Sequence, residues 1–247
     1  MRITMLGTGS AFPSGERVQS GTVIERDGSR LLVDCGSGIL HRLGAVEDFS
    51  FLDIDTVLLT HHHLDHVSDL SGLFKARILR DSPDFTVMGP PGTRDVCKAL
   101  FSVDDLEAKG NVTIHERSYT DAPIEVGDFR IDVAEGNHSI QSYSYRFGDA
   151  LTLCGDTTVS DEVLSLADGS HTLIHECSFP EGVDTETHST PQALVEGLAP
   201  LDLDRVYLTH WFPETEPDIS SIVETVDAAT DANVFAARDL TRFTIPN

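Results

Sequence analysis

Lysine is nearly missing from this 247-residue chain. Only Lys75, Lys98 and Lys109 occur, and all basic residues number 17 against 41 acidic ones, a formal net charge of -24. So acidic a surface repels nucleic acid at ordinary ionic strength. Asp and Glu are nevertheless spread through well-patterned segments and form no block, unlike an interaction tail. The reading adopted is a cytoplasmic, salt-adapted (halophilic) protein. At molar salt, screening acts within roughly 3 Å, which blunts the charge argument and leaves recognition to specific contacts. An ordinary very acidic enzyme is the plainer alternative. Cysteine is also scarce: Cys35, Cys97, Cys154 and Cys177 stand isolated, without CxxC spacing, and read as reduced, buried small hydrophobes. No apolar run has the length of a bilayer span, and the N-terminus enters a glycine turn before a signal-peptide core forms. A membrane span is therefore excluded and export disfavoured.

What is present is enough for a globular core: 40% hydrophobic residues, with no visible repeat or low-complexity linker. The pattern predicts strands over 2–6, 22–26, 30–34, 56–60, 85–88, 112–116, 129–135, 142–147, 151–154, 172–176, 205–210, 234–237 and 242–245. Helices are expected over 38–43, 65–79, 93–100, 161–166, 191–198 and 218–230. Pro191 follows a natural N-cap, Thr190 or Ser189, where a missing N–H costs nothing. Hairpin signals at Asp27-Gly28 and Gly127-Asp128 make neighbouring strands antiparallel there. The expectation is an α/β chain folded as one domain over 1–247, with two β-layers flanked by helices.

The chemistry concentrates in Thr60-His61-His62-His63-Leu64-Asp65-His66, directly after the apolar strand ending at Leu59. Alternate residues of an extended segment share a face, so His61 and His63 can bind one metal ion. A turn into helix then redirects Asp65 and His66 toward a second ion nearby. Five ionisable groups in six residues at the end of an apolar strand have no inexpensive structural purpose. More ligand-type residues follow other strands: His138 in Gly136-Asn137-His138-Ser139, Asp156 in Cys154-Gly155-Asp156-Thr157, and His210 in Leu208-Thr209-His210-Trp211. Separate strands can feed one site in this way.

The pattern His-x-His-x-Asp-His, then His, Asp and His resembles the metallo-β-lactamase superfamily over nearly the whole chain. The resemblance implies an αββα sandwich with a dinuclear site at one edge. It assigns His61, His63 and His138 to one ion, Asp65, His66 and His210 to the other, and Asp156 to both. His62 points to the opposite face and carries no such role. Five segments are similar to the ribonuclease Z branch: Gly7-Thr8-Gly9-Ser10-Ala11, Leu32-Val33-Asp34-Cys35-Gly36-Ser37-Gly38, Met88-Gly89-Pro90-Pro91-Gly92-Thr93, His175-Glu176-Cys177-Ser178-Phe179 and His188-Ser189-Thr190.

The implied activity is phosphodiester hydrolysis on two divalent ions, zinc first, with manganese or iron accepted by the same His and Asp donors. Asp65 is expected to orient the attacking water, and His188 to protonate the leaving alkoxide. Glu176 would fix the His188 tautomer and raise its pKa, and Asp34 would brace a ligand imidazole. Three departures stand out. The long arm that grips the elbow of transfer RNA in ribonuclease Z proteins has no room in the stretch 139–155. Asp69 stands where a glycine is common, and Cys177-Ser178 replace Ala-Thr. No basic or aromatic cluster is visible in the sequence to replace the arm. The substrate is thus open between RNA 3′ ends and small nucleotide or cyclic diesters, with a homodimer and no membrane as the remaining partner expectations. A hydrolase of thioesters or lactones on the same metals is the second reading, and a non-catalytic metal sensor the third.

Overall fold

The computed structural model describes residues 1–183 and 185–246, and its strands fall into two sheets of 7. The first half contains β1 (Arg2–Gly7), β2 (Gly21–Arg26), β3 (Ser29–Val33), α1 (Ile39–Leu43), β4 (Thr56–Leu58), α2 (Leu64–Val67), α3 (Leu70–Ile78), β5 (Asp84–Gly89), α4 (Thr93–Phe101), α5 (Leu106–Lys109) and β6 (Asn111–Glu116). The second contains β7 (Ile124–Val126), β8 (Phe129–Gly136), β9 (Ser142–Phe147), β10 (Leu151–Leu153), α6 (Asp161–Ala167), β11 (Thr172–Glu176), α7 (Pro191–Leu198), β12 (Arg205–Thr209), α8 (Ile219–Asp227) and β13 (Asn233–Ala236). The last strand, β14 (Thr241–Thr244), returns to pair with β1.

The sheet orders are β14-β1-β2-β3-β4-β5-β6 and β13-β12-β11-β10-β9-β8-β7. Each has an antiparallel portion and a parallel one, the parallel pairs being β3 to β6 and β10 to β13. Both expected hairpins form: Arg26 pairs with Ser29 across Asp27-Gly28, and Val126 with Phe129 across Gly127-Asp128. Gly28 has φ 99°, a left-handed value that glycine adopts without a Cβ clash.

Strand alternation explains the layering. In β3, Leu31 and Val33 face the second sheet, where they join Tyr145 and Ile174 in one cluster, while Leu32 faces outward. That outward face packs beneath α1, α3 and α4 through Ile39, Leu73 and Cys97. The second sheet does likewise: Tyr207 points inward, and Val206 and Leu208 pack under α6, α7 and α8. Strands buried on both faces read as continuous apolar runs rather than alternating ones. The result is the αββα sandwich. All four cysteines are buried and free, as expected, and no described helix is long and apolar enough to cross a membrane.

The helix expected over 65–79 is two helices. The carbonyls that would continue α2 are taken by distant partners: His66 O accepts from Cys35 N at 2.7 Å, and Asp65 O from Ser20 N at 3.1 Å. Asp69, at the break, accepts from the N–H groups of Gly38 and Leu40, both at 2.9 Å, and so caps α1. The unusual Asp69 thus has a structural task. Strand β7 and helix α5 lay below the length at which periodicity is legible.

Candidate metal centre

The candidate residues leave the ends of β4, β8, β10, β11 and β12, with α2 supplying two more, so they meet at one edge of the sandwich. Strand ends are where side chains from separate elements converge outside a sheet. Asp34 and His210 have φ of 60° and 59°. Left-handed backbone costs a non-glycine residue on the order of 1 kcal/mol, and it turns both side chains toward this edge.

Two groups of donors result. One joins His61, His63, His138 and Asp156, and the other Asp65, His66, Asp156 and His210, each with its ligand atoms within 4.8 Å of one another. In the first, His63 Nδ1 lies 3.2 Å from His61 Nε2 and 3.1 Å from His138 Nε2. Their tautomers follow from their other nitrogens. His138 Nδ1 donates to the Thr187 carbonyl at 2.7 Å, leaving Nε2 bare. Thr60 Oγ1 donates to Asp34 Oδ2 and accepts from His61 Nδ1 at 3.0 Å, which leaves His61 Nε2 bare as well. Lone pairs therefore converge on a common space.

The second group is built the same way. His66 Nδ1 donates to Asp34 Oδ2 at 2.7 Å, and His66 Nε2 is buried without a hydrogen-bond partner among the described residues. That nitrogen faces Asp156 at 3.5 Å and Asp65 at 3.6 Å. His210 Nδ1 donates to Ser178 Oγ at 3.1 Å, and its Nε2 lies 3.2 Å from Asp65 and 3.3 Å from Asp156. Outer hydrogen bonds of this type orient ligating imidazoles and fix their tautomers.

The electrostatics call for positive charge. Burial holds His61, His63 and His138 below the ordinary histidine range. Burial opposes a proton on His66 too, yet the Asp156 and Asp34 carboxylates outweigh it and raise its pKa well above normal. Burial also acts against the Asp156 carboxylate, but the His210 and His66 imidazoles hold its pKa well below normal. An orphaned buried nitrogen, converging lone pairs and two buried carboxylates fit divalent cations bound by nitrogen and oxygen.

His188 stands beside both groups, with its ring centroid 4.9 Å from His138 and 5.6 Å from His210. Its Nδ1 donates to Glu176 Oε1 at 2.8 Å. Glu176, buried, also accepts from the N–H groups of Thr157, Ser178 and Ser189 and from Ser178 Oγ at 2.6 Å. Burial lowers the His188 pKa, and the hydrogen bond and charge of Glu176 more than reverse this, so the net shift is upward. His62 turns away and meets Thr93 Oγ1 at 2.8 Å, as expected.

Sequence reasoning missed Thr60, Thr187 and Ser178, whose hydroxyls or carbonyl carry the outer hydrogen bonds. Thr60 precedes His61, Thr187 precedes His188, and Ser178 lies two residues after Glu176. It also missed an aromatic cluster: Phe12, Phe179 and Phe212 come together beside His188, although no such cluster is visible along the chain.

Residues 29–211 match the family model of the beta-lactamase superfamily domain. The chain is 30% identical to the ribonuclease Z of Mycobacterium marinum over an alignment covering 86% of this chain and 87% of that protein. The chain belongs to the metallo-β-lactamase superfamily, in its ribonuclease Z branch. A second member of the branch, from Mycolicibacterium gilvum, is 26% identical, with 88% and 86% covered. Two solved structures share the superfamily fold. The metallo-β-lactamase fold protein YhfI from Bacillus subtilis superposes with a TM-score of 0.83 at 20% identity, with 98% of each chain covered. Human tRNase Z, short form, gives 0.78 at 24%, with 100% of each covered.

Proposed function

We propose that this chain is a metal-dependent phosphodiesterase holding two divalent ions, zinc by preference, and cleaving RNA 3′ ends or small nucleotide or cyclic diesters. His61, His63 and His138 would hold one ion, Asp65, His66 and His210 the other, and Asp156 both. Such a pair supplies Lewis acidity toward the phosphoryl oxygens and a water of lowered pKa. The chain's own residues do the rest. Asp65, buried between His66 and His210, orients the attacking water. The His188 Nδ1–H is committed to Glu176, so the proton given to the leaving oxygen comes from Nε2.

The observation that carries this reading is the Glu176–His188 pair beside the two donor groups, because His188 belongs to neither group. An acyl hydrolase has no need of a protonated imidazole at that position, and the ribonuclease Z relatives favour the phosphodiester. Chain between His138 and Asp156 forms β9, a tight turn through Gly148, and β10, with no room for an arm to grip transfer RNA. Both substrate classes therefore stay within the proposal, as does a homodimer whose partner adds substrate contacts. Its test is hydrolysis of a chromogenic phosphodiester by metal-loaded protein in concentrated KCl. Chelator-sensitive hydrolysis, with thioesters and lactones left intact, is expected; hydrolysis of a thioester alone would overturn the reading.

A further inference from the structure

We propose that Phe12, Phe179 and Phe212 form a stacking platform for a nucleobase carried by the leaving alcohol of the diester, which makes the substrate nucleotide-bearing on that side. The proposal rests on the phosphodiesterase reading and on His188 as the acid.

The three rings come from distant segments, the loop after β1, the turn after β11 and the turn after β12, yet they form a continuous step. Phe212 contacts Phe179 with centroids 4.7 Å apart and Phe12 with centroids 5.3 Å apart. Phe179 and Phe212 both meet the His188 ring edge-on, at 5.7 Å and 5.5 Å. Exposure rises outward: Phe212 is 9% exposed, Phe179 partly, and Phe12 51%. The platform thus begins at the imidazole that protonates the leaving oxygen and ends in solvent. On this proposal, the group carried by that oxygen lies over the rings.

The loop that presents Phe12 is pinned. Gly9 N donates to Val18 O at 2.9 Å and Val18 N to Asp239 Oδ2 at 2.8 Å, while Arg17 Nη1 donates to Thr8 Oγ1 and the Ala237 carbonyl. Phe12 extends the Phe179 and Phe212 rings into a contiguous apolar patch that reaches solvent, and such patches mark interaction sites. The charge balance selects the ligand. A chain of net charge -24 offers a polyanion few ion pairs. Stacking on phenylalanine needs no cation, and every base has a π-face to offer.

The test uses metal-loaded, full-length protein, a dinucleoside monophosphate and the two esters in which methanol replaces one nucleoside or the other, with products identified. Phe12→Ala is expected to cut kcat/KM about tenfold for esters whose leaving alcohol is a nucleoside and to spare the ester that releases methanol. Phe12→Trp should keep wild-type activity, and Phe179→Ala should repeat the loss. Equal losses on all three esters, or none, overturn the platform. Should wild-type protein hydrolyse none of them, the phosphodiesterase reading fails. Calorimetric binding of the dinucleoside methylphosphonate then decides the platform alone: about tenfold weaker binding by Phe12→Ala supports it, and unchanged binding sinks it. A dimer dissociated by Phe12→Ala without a base-dependent loss would assign the rings to a contact between copies instead.

Discussion

Glu176 Oε1 receives the His188 Nδ1–H at 2.8 Å, and the same buried carboxylate is tied through Ser178 Oγ to the site of His210. One carboxylate therefore sets the protonation of the proposed acid and braces the hydroxyl that orients a proposed ligand. This gives the pH profile a sign. The folded-state pKa of His188 is raised, because Glu176 outweighs burial. As the proposed acid, His188 is protonated below that pKa, and activity should fall as pH rises through it. Glu176→Gln removes the charge and leaves burial, so the alkaline limb of kcat/KM against pH should move to lower pH. A limb that stays in place would show that His188 does not set it.

Ser178→Ala leaves the His210 Nδ1–H without its acceptor. Affinity for the ion proposed to sit among Asp65, His66 and His210 should drop by about 10- to 100-fold, the usual effect of losing an outer hydrogen bond to a ligating imidazole. Competition against a chelator measures it, and unchanged affinity would remove Ser178 from the site.

Asp156 belongs to both donor groups, whereas His138 belongs to one. Asp156→Ala should therefore lower metal content at both positions, and His138→Ala mainly at one, as read by elemental analysis after dialysis. Because loading acts on the native state, metal should also stabilise wild-type protein by about 3 kcal/mol at a hundredfold excess over Kd, so that it melts at a higher temperature. Identical melting of loaded and chelated protein would contradict a preformed site.

Glu25 lies at the far end of β2, where Arg2 contacts both its oxygens at 2.7 Å and 2.6 Å and Arg30 adds a third contact at 2.8 Å. Burial raises its pKa, but the two guanidiniums outweigh this and the net shift is downward. Its stabilisation is complete above the unfolded-state pKa and is lost as pH falls through the folded-state value. Glu25→Gln should cost on the order of 1 kcal/mol at neutral pH, since Arg2 is partly exposed and screened. In denaturant titrations the deficit should shrink as the pH is lowered into that window.

The proposed ligands were legible in the sequence because His61, His138, Asp156 and His210 each follow a strand, and Asp65 and His66 stand within five residues of His61. The break between α2 and α3 was not, since Cys35 and Ser20, far away in the chain, take the carbonyls that would have continued the helix. Ser178 and Thr60 were missed for a related reason: a hydroxyl's partner is set by tertiary approach, and serine or threonine near a turn has many ordinary uses. Phe12, Phe179 and Phe212 are single residues in three loops, so no periodicity announces their meeting.

The proposed transfer of a proton from His188 to the leaving oxygen is tested most directly by a comparison of leaving groups. A p-nitrophenolate departs without a proton, whereas a nucleoside alkoxide needs one. His188→Ala, with metal content shown to be unchanged, should lose about 10²- to 10⁴-fold on a dinucleotide and little on the p-nitrophenyl diester. Equal losses on both substrates would mean that His188 supports the site in some other way and that the proton comes from elsewhere.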